Sequence, residues 1–202
     1  MYLDVSQTPV LDVYHLLVGI VTPRPIAWVT TVDLEGRVNL APFSFFNAFG
    51  ANPPVVVFSP TLRRDGTKKD TLKNVEATGE FVLNAAVQAL AEKINLSSKE
   101  VPYGQSEVDL TGLHLLPSTK VKPPRIAEAP VHMEGRVRQI VPVGNGPISA
   151  NLVIGEIVAL HVDERVLDAE GRVDPRKLQT IARLGGDWYC RTSDLFEMKR
   201  PT

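Results

Sequence analysis

The run Ile26-Ala27-Trp28-Val29-Thr30-Thr31-Val32 leads into Asp33-Leu34-Glu35-Gly36. β-branched and aromatic side chains suit a pleated strand, and the Asp-to-Gly cluster behind them reads as a hairpin turn. The return strand runs from about Val38 into Ala41, where Pro42, which has no N–H, interrupts the ladder or marks a sheet edge. The stretch from Phe43 to Phe49 is rich in aromatics. After Asn52-Pro53-Pro54 comes a third strand, Val55-Val56-Val57-Phe58, whose unbroken apolar run predicts burial on both faces.

Further along, Asp70 is placed as the N-cap of a helix carrying Leu72 and Val75 and ending at Gly79. Phe81 to Asn84 reads as a short strand and Gln88 to Leu96 as a helix. The proline-rich segment 99–130 reads as loop and short helix laid over the outside. Strands return over Val131–Val141 and Leu152–Val162, joined at Gly144-Asn145-Gly146-Pro147, a tight-turn signal. A last helix is predicted over Pro175–Ala182, with Asp174 as N-cap and Pro in the first turn. Antiparallel strands, short turns and a few peripheral helices predict a mainly β, barrel-type fold, with residues 1–202 as one domain.

Composition narrows the function classes. In 202 residues, 22 Lys and Arg face 23 Asp and Glu, a net charge of −1, which supplies no general footprint for nucleic acid or a membrane surface. An anion must therefore be held by a local arrangement of donors. The single cysteine, Cys190, rules out an intrachain disulfide or a site of several thiolates. No window approaches ~18 uninterrupted apolar residues, and the first 30 residues lack a secretory pattern, so a cytoplasmic location is expected. His15, His114, His132 and His161 have no metal-ligand spacing, and no metal is expected. Gly144 to Ser149 falls short of a dinucleotide fingerprint and lies between strands.

Two segments carry chemistry. Arg63-Arg64-Asp65-Gly66-Thr67-Lys68-Lys69-Asp70-Thr71 brings four cations and two hydroxyls to a helix start, where free amides and the dipole favour a phosphate. The same segment also reads as a solvated loop capped by Asp70. Asn39-Leu40-Ala41-Pro42-Phe43-Ser44-Phe45-Phe46-Asn47 sets polar groups among aromatics, either as core or as a face for a planar ligand. Arg183, ahead of Gly185-Gly186, reads either as a charge at a helix end or as a cation returned to such a ligand.

Together, Pro23-Arg24-Pro25-Ile26-Ala27-Trp28-Val29-Thr30-Thr31, the Asn39–Asn47 run, Pro53-Pro54-Val55, Lys68-Lys69-Asp70-Thr71-Leu72-Lys73-Asn74 and Leu152-Val153-Ile154-Gly155-Glu156-Ile157 resemble the flavin reductase-like family, and within it the flavoredoxin branch. That resemblance implies an FMN-binding split β-barrel and a homodimer. The function it implies is an NAD(P)H-dependent flavin reductase passing hydride from nicotinamide to bound flavin, with NADH or NADPH as co-substrate and an electron-acceptor protein downstream. The alternative is a flavin-holding electron carrier without NAD(P)H turnover. FMN is expected rather than FAD, since one phosphate-sized site is evident. Lys68, Asp70 and Thr71 are expected at the phosphate, Ala41, Pro42, Phe43, Ser44, Phe45 and Asn47 at the ring, Thr30 and Ser59 at the ribityl chain or phosphate, and Arg183 at the flavin edge. No catalytic residue is assigned. Where many members carry Gly-Asp-His before the late strand, this chain has Ser149-Ala150-Asn151.

Overall fold

A computed structural model describes residues 1–102 and 105–201; Tyr103 and Gly104, within the loop predicted over 99–130, and Thr202 lie outside it. In chain order the strands are β1 (Arg24–Pro25), β2 (Ala27–Val32), β3 (Val38–Phe43), β4 (Phe46–Ala51), β5 (Pro54–Phe58) and β6 (Glu80–Ala85). They continue with β7 (Leu115–Leu116), β8 (Arg125–Ile126), β9 (Val131–Val143), β10 (Ala150–Val162), β11 (Ile181–Arg183) and β12 (Tyr189–Arg191). The helices are α1 (Val10–Ile20), α2 (Asp70–Thr78), α3 (Ala91–Leu96), α4 (Glu107–Thr111) and α5 (Pro175–Leu178).

Seven antiparallel strands form the main sheet in the order β3-β2-β6-β9-β10-β5-β4. β2 is buried along its whole length, as its composition predicts. Its turn into β3 is fixed by Asp33, whose carboxylate accepts the amides of Glu35 and Arg37, and by Gly36 at φ 82°. The two edge strands, β3 and β4, lie at opposite ends of the sheet order yet are joined by Ser44-Phe45 alone. A two-residue link spans roughly 10 Å at most, so the sheet must curl until its edges approach. Those edges share no ladder, and the barrel is split between them. Pro42 sits in β3, an edge strand, where a missing donor is tolerated.

Alternation along the strands makes two cores. Ala27, Val29, Phe43, Phe58, Phe81 and Leu83 fill the inside, with Leu72 and Val75 of α2 against them. Phe81 and Phe58 meet edge-on at 5.2 Å, and a Cβ on Gly135 or Gly155 would come within 2.2 or 2.3 Å of the Phe81 ring. Outside, Trp28 and Leu40 pack against Ile94, Val108 and Ile126, and the Trp28 indole N–H donates to Ser97 at 2.9 Å. The segment predicted to wrap the surface supplies that cover.

Several local expectations are corrected. The predicted helix over Pro175–Ala182 stops at Leu178, because Gln179 turns to φ 49°. Ile181–Arg183 is instead a strand, paired with β1 and β12; Thr180 and Ile181 are β-branched and suit that pairing. Arg183 is therefore not at a helix end. Asp70 is the first residue of α2 and not its cap: Lys69 occupies that position, and the Asp70 carboxylate accepts from Lys73 at 2.9 Å. β5 buries one face only, through Val56 and Phe58, because its other face is incompletely covered. The Gly144 turn is a loop of six residues, not a tight turn. Gln88–Leu96 divides into a 3-10 turn over Gln88–Leu90 and α3.

Candidate functional site

Three adjoining cavities open at the split of the barrel, and Lys69 lines all of them. The central one, about 300 Å³, is walled by Pro42, Phe43, Ser44 and Phe45 from the β3–β4 turn, Ser59 and Thr61 after β5, Tyr14 of α1, and Arg183 and Tyr189. An inner lobe of about 150 Å³ runs past Asn39, Ala41, Asp70, Thr71 and Glu107. An outer lobe of about 380 Å³ lies against Leu11, Leu62, Arg63, Arg64 and Ile148.

Lys69 is the electrostatic centre. It sits just ahead of α2, and among the described residues no carboxylate lies within ion-pairing distance of it; its ammonium instead lies 5.4 Å from the centroid of the Phe43 ring. Burial, reinforced by Arg63, pushes the Lys69 ammonium below the ordinary lysine range. A partly desolvated cation without an anion, beside the free amides of a helix start, fits a phosphate.

Arg24 does not line the cleft but ties together segments beside it. It is buried and donates to the carbonyls of Val18, Val21 (2.8 Å) and Leu184 (3.0 Å) and to the Ser44 hydroxyl (3.3 Å). One guanidinium thus ties α1, the β11–β12 turn and the β3–β4 turn together. Burial, with Arg183 nearby, lowers its proton affinity. Arg183 stacks 4.5 Å from the Tyr189 ring and donates to the Gly186 carbonyl at 2.8 Å. On the floor, Glu107 accepts from the Leu40 amide at 3.0 Å, and burial pushes its carboxyl above the usual range.

Of the residues singled out from sequence, Ala41, Pro42, Phe43, Ser44, Phe45, Ser59, Asp70, Thr71 and Arg183 line the cleft. Ser59 accepts from the Asn151 amide, and Thr71 from Asn39 at 2.9 Å. Three lie elsewhere. Lys68 points outward into an ion pair with Glu76 at 2.7 Å. Thr30 is on the outer face, donating to the Pro124 carbonyl at 2.7 Å. Asn47 is on exposed β4, accepting from the Ala48 amide. Sequence reasoning missed Tyr14 as a wall residue and Arg24 as the tie behind it, included Arg63 only within the cationic segment, and preferred Lys68 to Lys69. Helical spacing does not separate the two lysines, since both precede α2 and stand four and three residues before buried Leu72.

A curled antiparallel sheet, split where a cation-centred cleft opens, defines a split β-barrel of the flavin reductase type. The chain belongs to the flavin reductase-like family: residues 20–179 match the model of the flavin reductase like domain. An uncharacterized protein of Bacillus subtilis is 38% identical over the full length of both chains. The crystal structure of nitrilotriacetate monooxygenase component B from Bacillus cereus superposes with a TM-score of 0.92, at 34% identity and 98% coverage of each chain. The 2-nitrobenzoate 2-nitroreductase of Pseudomonas fluorescens gives 0.89 at 36% identity, covering 100% of this chain and 97% of that one. Flavoredoxin of Desulfovibrio vulgaris, 18% identical, gives 0.76 over 98% and 97%, a likeness of fold.

Proposed function

We propose that the protein is an FMN-binding oxidoreductase that accepts reducing equivalents from NADH or NADPH and passes them to an electron acceptor. The observation that carries this reading is Lys69, a partly desolvated cation that among the described residues has no ion-paired carboxylate and faces every lobe of the cleft. Lys69 and the amides at the start of α2 would hold the phosphate, with Thr71 below. The Pro42–Phe45 turn and Tyr14 would flank the ring, and Arg183 would stand at its edge. FMN, when bound, supplies the hydride and electron chemistry, while the chain binds it, orients it and limits water access. Exposed β4, with Phe49 facing solvent, is an unpaired edge suited to burial against a second copy, and a homodimer belongs to this reading.

A second reading, an electron carrier without nicotinamide turnover, is favoured by Ser149-Ala150-Asn151 standing where many family members carry Gly-Asp-His. One experiment separates the two. Protein loaded with FMN is mixed anaerobically with NADH or NADPH, and the visible flavin absorbance is followed. Rapid bleaching supports the reductase; retained FMN without bleaching supports the carrier; protein that neither copurifies with FMN nor quenches its fluorescence refutes both. Sedimentation that shows only monomer at micromolar concentration would refute the dimer.

A further inference from the structure

The inner lobe of the cleft holds a buried acid that has no part in the flavin reading. Glu107, 6% exposed, is the first residue of α4 and reaches β3, where its carboxylate accepts the Leu40 amide at 3.0 Å. The residue before Leu40, Asn39, donates to the Thr71 hydroxyl at 2.9 Å. The Glu107 carboxyl is thus anchored one residue along β3 from the partner of Thr71, which the flavin reading sets below the phosphate.

Three acids line this lobe, and two of them are matched. Asp70 faces Arg63 at 3.5 Å and Lys73 at 2.9 Å, and Glu100 faces Arg63 at 3.7 Å. Among the described residues Glu107 has no cation within ion-pairing distance, although Lys69 and Lys99 line the same cavity. Nor do the elements packed around it supply one. β3 carries no titratable side chain, Lys93 of α3 donates to the Gly112 carbonyl at 3.2 Å, and Glu92 and Asp109 face solvent. A buried carboxyl without a cation favours its protonated form; burial, with Asp70 adding to it, pushes this one up. An anion entering a lobe of about 150 Å³ adds like charge and raises it further.

We propose that Glu107 takes a proton from solvent as the flavin phosphate binds and donates it in a hydrogen bond to that phosphate, so that flavin binding is proton-coupled. No other bond forms or breaks. The inference rests on the flavin reading above. Affinity should be highest where Glu107 is already protonated. It should fall by at most about tenfold per pH unit across the window between its value in the free protein and its higher value in the complex.

The test is calorimetric titration of FMN into flavin-free protein from about pH 5 to 9, each pH in two buffers of unlike ionisation enthalpy, which counts the protons taken up. Glu107→Gln keeps an oxygen for the Leu40 amide and offers the phosphate a fixed donor, so it should fold, and melting temperature checks this. The phosphate, with a second ionisation at about pH 6, and Lys69 titrate in both proteins, so the difference between the two belongs to Glu107. Inside the window wild type should take up as much as about one proton more than Glu107→Gln, and the affinity of the variant should lack the fall. Riboflavin, which has no phosphate, should show no such difference. If FMN does not bind, the flavin reading fails and this inference fails with it. If FMN binds with equal uptake in both proteins, or if riboflavin shows the same difference as FMN, this inference alone is overturned. Should Glu107→Gln not fold, wild-type uptake with FMN against riboflavin decides: equal uptake overturns the proposal.

Discussion

Replacing Lys69 by Gln removes the one cation common to all three lobes and keeps much of its length. A charge-assisted hydrogen bond to a phosphate is worth about 1.5–3 kcal/mol, so FMN affinity should fall roughly 10- to 100-fold. Lys68→Gln is the matched control. Lys68 is exposed and paired with Glu76 at 2.7 Å, an arrangement worth at most about 1 kcal/mol, and FMN affinity should change by less than about threefold. Flavin-free protein should respond in the opposite sense. Burial disfavours the charged form of Lys69 and lowers its proton affinity in the folded state. The unfolded chain therefore holds more protons between the folded value and the ordinary lysine value, and stability rises with pH through that alkaline window. Lys69→Gln should melt no lower than wild type without flavin, and its alkaline slope should be flatter. Fluorescence quenching gives the affinities and thermal melts the stabilities. If Lys68→Gln weakens FMN as much as Lys69→Gln does, or if Lys69→Gln binds like wild type, the reasoning is refuted.

Gly135→Ala would set a Cβ 2.2 Å from the Phe81 ring and should cost about 2–3 kcal/mol, seen as a lowered melting temperature and partly recovered by Phe81→Leu in the same chain. Glu134 is fully buried and accepts from the Thr119 amide at 2.8 Å, the Lys120 amide at 2.5 Å and His161 at 2.6 Å. Glu134→Gln turns a donor toward one of those donors and should lose about 3 kcal/mol, with faster hydrogen exchange over residues 117–126. Burial raises this carboxyl, but the amides and His161 outweigh it and hold it below the ordinary range. Its contribution should therefore be present above the ordinary glutamate value and vanish as pH falls through the lower folded value, which exchange measured against pH will register. Arg24→Lys cannot serve three carbonyls and a hydroxyl at once; it should cost about 2 kcal/mol and weaken FMN severalfold, and equal melting of variant and wild type would count against Arg24 as a tie.

What was legible in the sequence follows a physical pattern. β2, its turn and β3 were readable because side-chain type, Asp33 and Gly36 all point to one local geometry. α2 was readable to its Gly79 stop, where a left-handed residue suits glycine. The end of α5 was not, because Gln179 takes the left-handed turn without being Gly or Asn, and a good start at Asp174-Pro175 says nothing about where a helix stops. α1 went unread: several of its apolar residues, Leu17 and Ile20 among them, face solvent and weaken the periodic stripe. With α1 went Tyr14, and with the three-way tie across distant segments went Arg24, a contact that only the folded chain brings together.

The choice between Lys68 and Lys69 shows where local reading ends and geometry begins. Both lysines precede α2, Lys69 as its N-cap at φ −67°, ψ 154°, and along extended backbone successive side chains point to opposite sides. Lys69 is carried inward to the cleft; Lys68 is carried outward to Glu76. The split itself is seen in the pairing. Ser44-Phe45 joins β3 directly to β4, yet β4 pairs with β5, no ladder joins the two edges, and Pro42 brings no N–H to β3. The edges stay apart, and the cleft there is lined by the Pro42–Phe45 turn, Lys69 at the start of α2, and Arg183 at the end of β11, just past the stretch that sequence alone reads as helix. Left open, the sheet leaves Lys69, which among the described residues has no carboxylate within ion-pairing distance, facing the cleft between its edges.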